Sequence, residues 1–208
     1  CMRRLSVLYY KGEIKDPGDS WMDAVNKSKD YMRRAAGQGD AKAQFYMGEI
    51  LRNTGFEEAK MWYTRSMNQG NLEAMYRLST LLYYHCEGFM DFMIADEGME
   101  LMRKAAEKGN ANAMGHLAFL LSVSPPNQNV IDEAKRWAYK SVEANSGCGY
   151  YALATMYEDG VGVPQSIEEA LRNYKKAADL GCEWGAERYD QLTNPDSWNR
   201  GQIQKNLP

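Results

Sequence analysis

Histidine is nearly missing from this chain: there are two in 208 residues, His85 beside Cys86 and His116 far from any other candidate ligand. Zinc ligands usually come in close pairs, so no metal or other cofactor is expected. Cysteine is equally sparse, with four residues at positions 1, 86, 148 and 182. That scatter gives little sign of a disulfide framework and leaves the cellular compartment open. An excess of one charge is also lacking: 25 Lys and Arg stand against 28 Asp and Glu, for a formal net charge of −3. Nucleic acid is therefore not an expected partner, because it calls for basic residues gathered on one face. Nor is there a long hydrophobic run. The longest nearly apolar stretches, Leu117 to Val123 and Leu78 to Tyr84, are about a third of the roughly 20 residues a membrane-spanning helix needs. Proline is scarce (6) while glycine is frequent (18), a balance that suits short helices separated by glycine turns better than a sheet.

What is present is a repeat. Ala35-Ala36-Gly37-Gln38-Gly39, Ser66-Met67-Asn68-Gln69-Gly70, Ala105-Ala106-Glu107-Lys108-Gly109 and Ala177-Ala178-Asp179-Leu180-Gly181 are one phrase, and Ser141-Val142-Glu143-Ala144-Asn145 repeats it with Asn last. The last residue of each closes a helix in the left-handed conformation, where Gly is preferred and Asn comes next. Eleven before each closing residue stands a small one (Ser28, Ala59, Gly98, Ala134, Ala170), and eight and seven before stand mostly bulky ones, such as Trp62 and Tyr63. With the small residues at four and three before, they form the apolar stripe of a helix, the second of each unit. Four after the closing residue come Ala43, Ala74, Ala113, Gly149 and Gly185; eight after come Met47, Leu78, Leu117, Leu153 and Tyr189. These give a first helix whose small residues admit a close neighbour. Cys1, Leu5, Ser6 and Tyr9 fit the same frame. The spacing predicts an all-α chain of helix-turn-helix units at 1–39, 40–70, 71–109, 110–145 and 146–181, then a final helix at 182–192. Together they make one domain, 1–192, followed by a tail, 193–208, in which Trp198 is expected to cap the last helix.

The segment Ala152-Leu153-Ala154-Thr155-Met156-Tyr157-Glu158-Asp159-Gly160-Val161-Gly162-Val163-Pro164, followed by Glu169-Ala170 and Tyr174 to Gly181, resembles the Sel-one-like repeat, a relative of the tetratricopeptide repeat. The resemblance is strong in 146–181 and 40–70 and looser in 71–109, where the internal loop is longer and lacks the glycine-valine turn. It implies a right-handed α-solenoid with first helices on the concave face and second helices outside. It also implies adaptors that hold other proteins in assemblies. A solenoid offers an extended concave surface, which agrees with that role.

On this reading, residues three, six, ten and thirteen after each closing residue point into the groove. The candidate partner-binding residues are Phe45, Glu49, Arg52, Tyr76, Thr80, Tyr83, Phe119, Cys148, Tyr151, Thr155, Glu158 and Trp184. Aromatic anchors among polar residues are the usual hot spots of peptide recognition. The competing reading packs some of these rings between repeats. The expected function is a non-enzymatic scaffold that takes a peptide segment or partner helix of another protein in the groove. The alternative is an assembly module that self-associates, as a homodimer for example, through its repeat ends or convex face.

Other features carry less. Cys148 near a helix start can have a lowered thiol pKa, yet no acid or histidine in sequence marks a catalytic partner. Gly160-x-Gly162 lacks the strand and the Gly-Lys-Ser/Thr of a phosphate loop and reads as a turn. Some cysteine-rich relatives carry a β-lactamase label, but this sequence has no Ser-x-x-Lys, Ser-Asp-Asn or Lys-Thr-Gly; a β-lactam-binding or hydrolysing activity is the remote alternative. Cys1 invites comparison with an acylated lipoprotein terminus, although the repeat frame begins at once and leaves no spacer, so an excised or processed chain is the expectation.

Overall fold

A computed structural model describes residues 2, 4, 16, 18, 20–84, 92–123 and 127–194, with residues 92–94 described by their backbone only. The expectations for Cys1, Leu5, Ser6 and Tyr9, for the loops at His85-Cys86 and Pro125-Pro126, and for the capping Trp198 lie outside these residues. Ten helices run through the described residues: α1 Trp21–Gly37, α2 Ala41–Leu51, α3 Phe56–Asn68, α4 Leu72–Tyr84, α5 Phe92–Glu107, α6 Ala111–Ser122, α7 Gln128–Glu143, α8 Gly147–Asp159, α9 Ile167–Asp179 and α10 Glu183–Thr193. They alternate, second helix then first helix, and α6 and α7 form one helix-turn-helix pair.

Each unit ends by one mechanism. Gly39, Gly70, Gly109 and Gly181 have φ between 81° and 96°, and Asn145 has φ 54°. With the chain reversed there, the amide of the following residue reaches a carbonyl five residues back: Asp40 to Ala35, Asn71 to Ser66, Asn110 to Ala105, Ser146 to Ser141 and Cys182 to Ala177, all at 2.9–3.3 Å. This satisfies carbonyls that a helix end leaves without partners. The same following residue then caps the next first helix. Asp40, Asn71 and Asn110 accept from the amides of Ala43, Ala74 and Ala113 at 2.9, 3.2 and 2.8 Å, a cap worth about 1 kcal/mol. Two residues thus end one helix and start the next.

The chain divides into two compact units, 1–101 and 102–208. In the first, Met32, Ala35, Ala36, Ala43 and Met47 form one buried cluster and Ala59, Tyr63, Ala74, Leu78 and Leu82 another. In the second, Ala118, Ala134, Ala138, Ala152 and Met156 pack together, as do Ala154, Ala170 and Tyr174. Every eleven-before and four-after position is buried. Small residues there let backbones touch. A side chain at Gly115 of α6 would place its Cβ 2.4 Å from the backbone of Cys148 and Gly149 in α8, which neither helix can yield without moving apart. Polar contacts repeat too. The buried hydroxyls of Ser66 and Ser141, both four before a closing residue, donate at 2.6 Å to the carbonyls of Ala41 and Ala111, both two after one.

Candidate partner-binding surface

In the first unit the predicted surface residues divide by their contacts. Tyr76 is 4% exposed, so the expectation that it is an exposed anchor is corrected. The six-after position is not uniformly a groove position: Tyr76 and Gly115 are buried, whereas Phe45 and Tyr151 are half-buried. In the second unit its equivalent, Gly115, is buried directly against the next first helix, α8. Phe45 is half-buried, packs on the cluster around Tyr63, and meets Tyr46 edge-on at 5.4 Å. Tyr83 is half-buried, 5.1 Å from Tyr84. Arg52 is exposed. The Thr80 hydroxyl turns back to its own helix, donating to the Arg77 carbonyl at 2.9 Å.

Glu49 is engaged inside the fold. The Tyr63 hydroxyl donates to Glu49 Oε1 at 2.5 Å, and Arg77 Nε lies 3.4 Å from that same oxygen and 3.4 Å from Glu73 Oε1. Arg77 Nε is itself buried and makes no hydrogen bond; its contacts are ionic. Burial and then the Glu49 hydrogen bond push the Tyr63 hydroxyl far above its usual range. Burial works against the Arg77 charge, and the two carboxylates overcome it, so its pKa rises.

The second unit gathers its aromatics. His116 and Phe119 on α6, Tyr151 on α8, Tyr174 on α9 and Trp184 on α10 form a chain of rings. Centroids are 5.1 Å apart for His116–Trp184, 5.2 Å for Phe119–Tyr151, 5.8 Å for Tyr151–Tyr174 and 5.9 Å for Tyr151–Trp184. His116 and Tyr174 form the buried floor, Phe119 and Tyr151 are half-buried, and Trp184 is 41% exposed. His116 and Trp184 meet edge to face and the other pairs are tilted; aromatic pairs of this kind are worth about 1 kcal/mol each beyond burial. Burial raises the Tyr151 hydroxyl pKa. Cys148, in the first turn of α8, is half-buried. The Thr155 hydroxyl donates to the Tyr151 carbonyl at 2.8 Å, like Thr80 in the first unit.

Glu158, like Glu49, faces a tyrosine and an arginine. Tyr174 donates its hydroxyl to Glu158 Oε2 at 2.6 Å, and Arg188 Nε donates to the same oxygen at 3.1 Å while its Nη2 engages Oε1. Burial would raise the Glu158 pKa; the hydrogen bonds from Arg188 and Tyr174 outweigh it and hold the carboxyl below its usual range. Burial and the same carboxylate push the Tyr174 hydroxyl far up. Sequence reasoning placed both glutamates on an open surface and missed these triads. The signal was present: Tyr63 and Tyr174 both stand seven before a closing residue, and Arg77 and Arg188 seven after one.

Among the described residues no group of three or more His, Cys, Asp and Glu is placed to hold a metal, and no helix is long and apolar enough to cross a membrane.

Alternating helices, glycine closures and small contact positions define an α/α repeat protein. The Sel1 repeat model matches residues 1–40, 41–71, 72–110 and 149–182, and the chain belongs to that family. Residues 111–148 fall outside the matched segments of this part of the chain and hold the helix pair α6–α7. Among curated proteins, the chain is 28% identical over 180 residues to protein sel-1 homolog 2 of Mus musculus, covering 82% of this chain and 25% of that protein. It is 29% identical over 173 residues to DAP3-binding cell death enhancer 1 of Rattus norvegicus, covering 80% and 33%. The chain thus spans a third or less of these relatives. Among solved structures, a Sel1 repeat protein from Oxalobacter formigenes superposes with TM-score 0.68 at 21% identity, over 92% of this chain and 74% of that one. A protective antigen of uropathogenic Escherichia coli with an SLR fold gives 0.66 at 22%, over 92% and 40%. At these identities the structures establish the fold alone.

Proposed function

We propose that this chain is a non-enzymatic protein-interaction module, and that the aromatic face of its second unit receives an extended segment of a partner protein. One observation carries the reading: Trp184 remains 41% exposed although its ring is backed by buried His116. A large ring held rigid and left in water gives up little conformational entropy on binding, which is the character of a hot-spot anchor. Half-buried Phe119 and Tyr151 extend the apolar strip. Glu49 and Glu158 are held by their own tyrosines and arginines, so specificity falls to the exposed polar residues around the rings. Membership of the Sel1 family supports a protein partner, and one relative, DAP3-binding cell death enhancer 1, is named for binding DAP3.

A photo-crosslinking residue placed at Trp184 and, separately, at exposed Arg172 tests this. The expected result is a discrete partner adduct from position 184, absent from 172, and lost when Phe119→Ala is added. Equal labelling from both positions would count against the aromatic face. Adducts between two copies of this chain would favour the assembly reading, which sedimentation velocity checks independently.

A further inference from the structure

We infer that Cys148 and Cys182 are a redox-active thiol pair that closes to a reversible intramolecular disulfide when the protein meets a hydroperoxide.

The repeat geometry carries the inference. Cys148 is the third residue after a closing residue, and Cys182 is the first after the next one. The same two positions one repeat earlier are Asn112 and Ser146, whose side chains are hydrogen-bonded at 2.8 Å. The fold therefore brings this pair of positions into side-chain contact, and at the next boundary both are cysteines. Their surroundings agree. A Cβ on Gly147, the neighbour of Cys148, would lie 3.1 Å from the Cβ of Cys182, so the start of α8 sits against the start of α10. Neither cysteine is in a disulfide.

Cys182 also occupies the cap position that Asp40, Asn71 and Asn110 fill elsewhere. The hydrogen bond from Cys148 stabilises its thiolate most, burial opposes it, the amides of Gly185 and Trp184 add to it, and Glu183 opposes; the net effect lowers the thiol to about 7. Lowering the thiol pKa favours the thiolate, which is the nucleophile.

The chemistry balances with the peroxide as two-electron oxidant. The Cys182 thiolate attacks one peroxide oxygen, the O–O bond breaks, and the departing hydroxide takes a proton to leave as water. The sulfur is now a sulfenic acid. Cys148 attacks that sulfur, the S–O bond breaks, and hydroxide leaves with the Cys148 proton as a second water. Two thiols and one hydrogen peroxide give one disulfide and two waters. Cys182 is buried and Cys148 half-buried, so the oxidant has to be as small as hydrogen peroxide. The bond would tie the first turn of α10, which carries Trp184, to α8.

Titration of the full chain with hydrogen peroxide, trapping of residual thiols with N-ethylmaleimide and mass spectrometry without reduction test the pair. The expected result is a peptide joining positions 148 and 182, two hydrogens lighter than its parts, that disappears with dithiothreitol. Closing this loop should also raise Tm by about 5 °C. Cys148→Ser and Cys182→Ser should each abolish the bridge. If either fails to fold, the Cys1→Ser/Cys86→Ser chain, which keeps both thiols, gives the same reading. Full alkylation of both cysteines after peroxide, bridges chiefly to Cys1 or Cys86, or bridges only between chains would overturn the inference.

Discussion

The two compact units build the same three-residue contact in different ways. Tyr63–Glu49–Arg77 and Tyr174–Glu158–Arg188 place Tyr and Arg at identical repeat positions, but the carboxylate comes from ten residues after a closing residue in the first unit and thirteen in the second. Three residues are nearly one helical turn, so Glu158 approaches its arginine from a different height. The result is a two-pronged pair at Arg188, with both carboxylate oxygens engaged. Arg77 instead sits between two carboxylates at 3.4 Å with no hydrogen bond at Nε. Forked guanidinium–carboxylate geometry is the stronger form. The repeat frame fixes where the partners stand, and one turn of offset decides how well they meet.

This contrast can be broken in order of expected size. Glu158→Gln removes the forked pair and should lower unfolding free energy by about 2–3 kcal/mol, measured by urea denaturation with circular dichroism. Glu49→Gln should cost less, about 1–2 kcal/mol; equal losses would remove the distinction. The exchange Thr155→Glu with Glu158→Thr moves the second unit's carboxylate to the ten-after position and should recover roughly 1 kcal/mol relative to Glu158→Ala.

The pH dependence sharpens the contrast further. Because the folded Glu158 pKa is depressed, its contribution is present above the unfolded value of about 4.3 and is lost as pH falls through the folded value. Acid should therefore weaken wild type relative to Glu158→Gln. The raised tyrosines act at the other end. Their contribution is complete below the unfolded value of about 10 and falls as pH rises above it. Urea midpoints measured from pH 9 to 11.5 should decline less steeply in Tyr63→Phe and Tyr174→Phe than in wild type, and least in the double variant.

How much of this was legible in the sequence differs by position. The closing residues were readable, including Asn145, because a left-handed φ restricts residue choice locally. The small-residue positions were readable because close helix approach excludes bulk wherever it recurs. Tyr76 was misread as exposed. A helical wheel separates core from surface on one helix only, whereas in the second unit the first helices α6 and α8 also pack on each other, at Gly115 against Cys148 and Gly149. Glu49 and Glu158 looked free for a related reason: the tyrosine and arginine that hold them lie on other helices.

The sequence by itself determined the repeat length, the helix ends and the residues buried within each pair, since these follow from backbone conformation and the periodicity of a single helix. Tertiary structure alone decided which aromatics share one cluster, which carboxylates are already engaged, and that Cys148 stands beside Cys182. Those facts depend on side chains from neighbouring repeats meeting across the stack, at distances that no spacing along the chain specifies.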